Sequence, residues 1–159
     1  MVRIAQLLLV GQVGLFALSV AWNNIADPRT NFEFVRHVLS MDTVHPNTRL
    51  RSRAIHADWF HRLAFVMVVL AEALVALLCL AGAAGMGMAL GAPAPVYEES
   101  KSAAYAGLLL GFGVWFGGFM IVGGQWFASW QSERWNGRQS AFMFYTAIGI
   151  ALVALMQPS

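Results

Sequence analysis

Residues 60–82 read FHRLAFVMVVLAEALVALLCLAG, and this stretch decides the class of fold. After Arg62 it contains a single charged residue, Glu72. About 20 consecutive apolar residues cross a bilayer as a helix. A carboxylate inside such a segment is costly and marks a candidate functional site by default. The stretch therefore predicts a membrane-spanning helix, and it places any functional site of the protein close to Glu72.

The composition of the 159-residue chain points to the same class. Hydrophobic residues make up 58% of it and charged residues only 11%, whereas soluble domains carry about a quarter charged residues. The net charge is +2, and the basic residues are mostly arginines between apolar segments. Such arginines bear on membrane topology, and they do not form the basic stripe of a nucleic-acid-binding protein.

Three further segments are long and apolar enough to cross a bilayer. Lipid offers no partner for free backbone groups, so each span must be helical. The prediction is an all-α fold, a four-helix transmembrane bundle in one domain over residues 1–159. The first span reads as a retained anchor and not as a cleaved signal peptide. The predicted spans are residues 4–22, 59–81, 103–122 and 140–156.

An even number of spans puts both termini on one face and the two connecting segments, residues 23–58 and 123–139, on the other. This second face carries eight arginines, against one arginine and one lysine on the terminal face. Basic residues near span ends favour the cytoplasmic side, so this count places the loop-rich face in the cytoplasm. The linker at residues 82–102 is rich in glycine and proline and predicts an extended or turn-rich connection.

The first connecting segment predicts a short helix. Thr30 to Glu33 have the spacing of a capping box, with Thr30 as the N-cap. Residues 31–41 then place Phe32, Val35 and Leu39 on one side of a helix. This pattern is typical of an amphipathic helix that lies in the headgroup plane, or alternatively of a lid that packs on the ends of the spans.

The second connecting segment is rich in tryptophan. Trp126, Trp130 and Trp135 suit an interfacial aromatic belt. The alternative is a wall at Gln125, Trp126 and Trp130 that binds a quinone or a lipid head group. Gly123 and Gly124 predict a break or a kink in the third span just before this segment.

Polar and small residues inside the spans are the remaining candidates. Gln12 and Glu72 each lie near the middle of a predicted span, so we expect them at similar depth, with Glu72 bonded to Gln12 or to a backbone carbonyl as structural glue. Alternatively, Glu72 accepts a proton or a quinol hydroxyl, or contacts a partner protein. Small residues four apart allow close helix approach, within the bundle or against a partner. These glycines are Gly107, Gly111, Gly113 and Gly117.

Cofactor motifs are missing from the sequence. None of the four histidines lies deep in a predicted span, which argues against haem. Cys79 is alone in an apolar run and suits packing. No hydrolase, nucleotide-binding or zinc-protease motif occurs. We therefore predict no metal, no resident cofactor and no catalytic residue, with a quinone or a bound lipid as the possible ligand.

Several motifs carry a family resemblance. They are Asn23-Asn24-Ile25, Asn31-Phe32, FVRHVLSMDT and GGQWFASWQSERWNG. Over nearly the whole chain the sequence resembles the bacterial family of predicted small integral membrane proteins called domain of unknown function 2165. The resemblance implies a multi-pass protein of the bacterial inner membrane without an assigned activity. Many members of that family are more basic in the linker between the second and third spans. That pattern implies termini in the cytoplasm, so the orientation stays open.

Two functions follow as expectations. The first is a non-catalytic accessory subunit of a larger membrane assembly, for example respiratory or photosynthetic, in contact with lipids and with other membrane subunits. The second is a small protein that binds a quinone or a lipid, and a small transporter or channel is a weaker alternative. The residues expected to contact a ligand or partner are Gln12, Asn23, Asn24, Glu72, Gln125, Trp126 and Trp130.

Overall fold

The computed structural model describes residues 1–158, of which helices form most. Four helical segments are long and apolar enough to cross a membrane: α1, α3, the stretch Ala94–Trp126, and α6. This confirms an all-α protein with four candidate spans. The α-helices are α1 (Val2–Ala26), α2 (Pro28–Ser40), α3 (Asp58–Met88), α4 (Ala94–Ser100), α5 (Ser102–Phe112) and α6 (Arg138–Leu155). A π-helix (Gly113–Trp126) continues α5, and short 3-10 helices cover Arg49–Arg53 and Ser129–Gln131.

The two ends of the bundle differ in what they carry. At one end, which we call the terminal end, the Gln6 amide donates to the backbone oxygen of Gln157 at 2.9 Å, so both termini meet there. The connection between α3 and α5 lies at the same end, because the Arg3 guanidinium donates to the oxygen of Ala92 at 2.6 Å. The opposite end, the loop-rich end, carries α2 and residues 41–57 and 127–137. Both termini lie together, as four spans predict.

Glycines set the contact between α3 and α5. A Cβ on Gly82 would lie 2.5 Å from the backbone nitrogen of Ala104, and a Cβ on Gly107 would lie 2.7 Å from Sγ of Cys79. Both distances are too short for any side chain, so these glycines let the two backbones approach closely. Gly111 also faces this contact, since its Cβ would lie 3.2 Å from Val75. A Cβ on Gly113 or Gly117 would meet nothing within 4 Å.

The linker at residues 82–102 is not the extended connection that its glycines and prolines predict. Residues 82–88 continue α3, α4 occupies Ala94–Ser100, and only residues 89–93 connect them. A glycine costs about 1 kcal/mol in a helix relative to alanine. The contact at Gly82 offsets that cost, because it needs the absence of a side chain.

The third span does not break at Gly123 and Gly124 either. It continues to Trp126 as a π-helix, and the Phe127 amide donates to the oxygen of Val122, five residues back, at 3.0 Å. Gly124 lies close to α6, since a Cβ there would lie 3.2 Å from the side chain of Arg138. Extended π-helices are rare, and π-bulges often lie at functional sites.

A helix does form in the first connecting segment, but it begins earlier than predicted. Pro28 is its first residue and Asp27 its N-cap, and proline is preorganised for that first position. Thr30 therefore lies inside the first turn, where its hydroxyl donates to Asp27 at 2.7 Å. Glu33 does not reach back. It pairs with Arg36, whose hydrogen bonds hold the pKa of Glu33 below its usual value.

The helix α2 packs along the first half of α3. The rings of Phe32 and Phe65 lie 5.9 Å apart, and the Ile55 amide donates to the oxygen of Leu39 at 2.9 Å. Phe34 lies on the side of α2 that faces the π-helix, 6.0 Å from the ring of Phe119. These contacts make α2 a cover over this end of the bundle. Its placement in the headgroup plane stays a prediction.

Candidate functional site

A cavity of about 240 Å³ lies beneath α2, at the level of Glu72. Five helical segments contribute to its wall, so it depends on the assembly of the whole loop-rich end. Its lining residues are Val20, Asn24, Asn31, Phe34, Val35, Phe65, Val68, Glu72, Trp115, Phe119, Gly137, Ser140, Ala141 and Phe144.

The polar group at the centre of the wall is a relay of three side chains. The Asn31 amide of α2 donates to the side-chain oxygen of Asn24 on α1. The Asn24 amide then donates to Oε2 of Glu72 on α3 at 2.6 Å. Asn31 is exposed and Glu72 is buried, so the relay runs from the surface of α2 to the buried acid. Three helices are thereby tied together at one point.

Glu72 is only partly satisfied by this relay. Across residues 1–158 no side chain or backbone group donates a hydrogen bond to its Oε1, and none forms an ion pair with it. None of the residues that line the cavity is basic. A buried carboxylate is normally paired or neutralised by a proton. One oxygen of Glu72 is therefore available to a proton or to a ligand in the cavity.

Aromatic rings form much of the remaining wall. Phe34 stacks 6.0 Å from Phe119, and Trp115 lies edge-on to Phe144 at 6.2 Å. Phe65 adds a fifth ring from α3. Apolar and aromatic walls with a few convergent polar groups are the usual character of small-molecule sites. The arrangement can bind a small molecule through ring contacts while one polar or charged group of that molecule meets Glu72.

The predicted pairing of Gln12 with Glu72 is wrong. Gly11 packs against Ala83 and Gly14 against Leu80, so Gln12 lies beside the second half of α3. Gln12 and Asn24 are twelve residues apart on α1, which is roughly 18 Å at 1.5 Å per residue. The prediction failed because α3 extends to Met88, so the middle of α1 pairs with a later part of α3 than equal spans imply. Gln12 is exposed and lines a separate groove between α1 and α6.

The other predicted contact residues lie outside the cavity, Asn24 and Glu72 excepted. Asn23 and Gln125 are exposed, and Trp126 holds the guanidinium of Arg53 over its ring at 4.4 Å. Trp130 faces His45 at 6.4 Å on the loop-rich surface. The structure therefore brings together Asn24 and Glu72 and separates the tryptophan wall from them.

Sequence reasoning missed Asn31 and the aromatic residues Phe34, Trp115 and Phe144. Asn31 follows Asn24 by seven residues, two helical turns, and both belong to the motifs that carry the family resemblance. That spacing was the available signal, but the break between α1 and α2 at Asp27 hides it. No pattern in the sequence distinguished the aromatic residues, because apolar residues fill every span.

A contact between Trp135 and His37 holds α2 in place over the cavity. Their rings stack with centroids 4.6 Å apart and planes 13° apart. The His37 ring also contacts Asp42 at 2.8 Å. Trp135 in turn lies edge-on to Phe34, a residue of the cavity wall. Of the three tryptophans in the second connecting segment, Trp135, which the sequence analysis left out of the candidate wall, is therefore the one that contacts a residue of the cavity wall.

A second polar cluster lies at the terminal end. Lys101 is fully buried, and its ammonium group donates to the backbone oxygens of Leu155 at 3.2 Å and Gln157 at 3.3 Å, and to Glu98. Gln6 and Tyr105 donate to the same end of α6. The last carbonyls of a helix have no partner inside it, and a cation near them is favourable. The cluster caps α6, which is a structural task.

Comparison with known proteins agrees with this architecture. Neither curated proteins nor solved structures gave a match to the chain. The family described as predicted small integral membrane proteins, domain of unknown function 2165, matches residues 2–158. The match extends across all four candidate spans and all three residues of the Asn24–Asn31–Glu72 relay. The chain is therefore a member of the DUF2165 family of predicted small integral membrane proteins.

Proposed function

We propose that the protein is a membrane-embedded binding protein for a small molecule that occupies the cavity beside Glu72. The observation that carries the proposal is that one carboxyl oxygen of the buried residue Glu72 meets no donor in the described chain, while Glu72 lines an aromatic cavity. If this region served packing alone, an apolar side chain that filled the cavity would make the protein more stable, because voids cost stability. A quinone or a lipid head group, reached from the membrane, is the class of ligand that the sequence analysis favours.

The cavity itself provides the test. Wild-type protein purified in mild detergent should retain a small molecule in roughly equal amount, detected by native mass spectrometry and identified after extraction. Ser140→Trp places a large side chain at an exposed position of the cavity wall and should abolish that retention. Gln139→Trp, one residue earlier, exposed and outside the cavity, is the matched control and should retain it. Equal retention by both variants would contradict the proposal.

An accessory-subunit role remains the second candidate. The open glycines Gly113, Gly117 and Gly118 of the π-helix support it, because each has free space where a side chain would stand. Such a backbone surface allows a helix of a neighbouring protein to approach closely. Purification of tagged protein in mild detergent distinguishes the two roles. A stoichiometric membrane partner that Gly117→Leu releases would favour the subunit role over an independent binding protein.

A further inference from the structure

The charge balance of the Glu72 cavity points to a class of ligand. Ionised Glu72 contributes one negative charge, and Asn24 and Asn31 contribute only neutral amides. No arginine, lysine or histidine lines the wall. In a medium of low dielectric constant an opposite charge gives far more stabilisation than a neutral donor can. A ligand that brings one positive charge would complete the site.

The wall selects among cations. Five aromatic side chains surround the space, and ring faces attract ammonium groups within about 6 Å. A metal ion would instead need several oxygen ligands, about six to eight for calcium. The cavity offers few of them, because Oδ1 of Asn24 already accepts from Asn31. The groups present therefore favour an organic cation over an inorganic one.

Taking these observations together, we infer that the cavity binds an organic ammonium group, with the cation against Glu72 and its alkyl substituents against the aromatic wall. This inference rests on the proposed function and narrows its ligand class. A volume of about 240 Å³ has room for a substituted ammonium head. The ammonium can belong to a free amine or to the head group of a lipid, because both present the same chemistry.

The test compares choline with 3,3-dimethylbutan-1-ol, which has the same shape without the charge. Binding is measured by calorimetry on the full chain in phosphatidylglycerol nanodiscs. We expect choline to bind at least ten times more tightly than the neutral alcohol. Glu72→Gln should abolish this preference, and Glu99→Gln, an exposed acid outside the cavity, should preserve it. Phe144→Leu should raise the Kd for choline by about 2- to 30-fold, as loss of one ring contact predicts.

The choice of lipid in the nanodiscs distinguishes a free amine from a lipid head group as the source of the ammonium group. In phosphatidylcholine nanodiscs, a site for lipid head groups is already occupied, so the apparent affinity for free choline should fall at least tenfold. An unchanged affinity identifies a site for free amines. Either result supports an ammonium site.

Other results overturn the inference. They are equal binding of choline and the neutral alcohol by wild-type protein, binding of neither, or a preference for choline that survives Glu72→Gln. If Glu72→Gln fails to fold, the comparison on wild-type protein decides alone. A neutral molecule retained by wild-type protein and lost in Ser140→Trp would preserve the proposed function while excluding the ammonium ligand.

Discussion

Asn24 and its neighbour Asn23 offer a test at the scale of single residues. Asn24 is buried and donates to Glu72, whereas Asn23 is exposed and makes no side-chain hydrogen bond in the described chain. Hydrogen bonds between membrane helices average about 0.6 kcal/mol and reach about 1.7 kcal/mol. Asn24→Ala should therefore lower the free energy of unfolding by about that amount, and Asn23→Ala should not change it. Unfolding in mixed detergent micelles measures both, and equal effects would show that the relay is not a structural contact.

Lys101 supports a second prediction at this scale. Lys101→Met keeps the length of the side chain but removes the donor to the carbonyls of Leu155 and Gln157. Tyr105 and Gln6 still donate to these two carbonyls, so the cost is that of the lost hydrogen bonds from a charged group, about 1.5–3 kcal/mol each. The variant should unfold at a lower concentration of denaturing detergent than wild-type protein. Glu99→Gln, at an exposed site on the same connection, should unfold like wild-type protein. An undisturbed Lys101→Met would show that Tyr105 and Gln6 suffice to cap α6.

The residue scale also shows how far the sequence could predict the site. Glu72 was identifiable because a charge is costly inside an apolar segment. Its partner was not, because the choice between Gln12 and Asn24 depends on how α1 and α3 are aligned. That alignment follows from the extension of α3 to Met88 and from the contacts of Gly11 with Ala83 and of Gly14 with Leu80, which are tertiary features.

Glycine contacts govern the packing of whole elements, and they predict a contrast between two positions in the third span. Gly107→Ala would place a Cβ 2.7 Å from Sγ of Cys79 and 2.8 Å from its backbone nitrogen. Overpacking of this kind costs about 1–3 kcal/mol. Gly117→Ala has open space and should not lower stability, and the helix preference of alanine should raise it by up to about 1 kcal/mol. Thermal unfolding in detergent compares them, and similar stability of the two variants would contradict the close contact of α3 and α5.

The helices were predicted well where composition alone decides them. They were predicted poorly where glycine was taken as the sign of a turn or a break. Four apolar segments predicted four long helices, because lipid leaves the backbone no alternative. Glycine marks turns in water-soluble chains, but here Gly82 and Gly124 both lie within helices. At Gly82 the absence of a side chain serves a helix contact, and at Gly124 the helix continues for two more residues before it ends at Trp126.

At the scale of the whole molecule, the bundle predicts which exposed positions share a side of the membrane. Arg49 and Arg134 lie at the loop-rich end and Glu99 lies at the terminal end, all exposed. Single cysteines at these positions should react with a membrane-impermeant maleimide from opposite sides, 49 and 134 together and 99 alone. Wild-type protein supplies the background, because its one cysteine, Cys79, is buried. Labelling of all three positions from one side would contradict four crossings.

The capping of α6 by Lys101 has a consequence for the synthesis of the chain. The carbonyls of Leu155 and Gln157, which accept hydrogen bonds from the ammonium group, lie 54 and 56 residues later in the sequence. At a translation rate of about 5–20 residues per second, Lys101 leaves the ribosome roughly 3 to 11 s before Leu155 does. During that interval the contacts of its ammonium group that can already form are those with Glu98 and with the ring of Tyr97. We therefore expect the third span to stay at the membrane surface, with Lys101 in water, until the fourth span has been made.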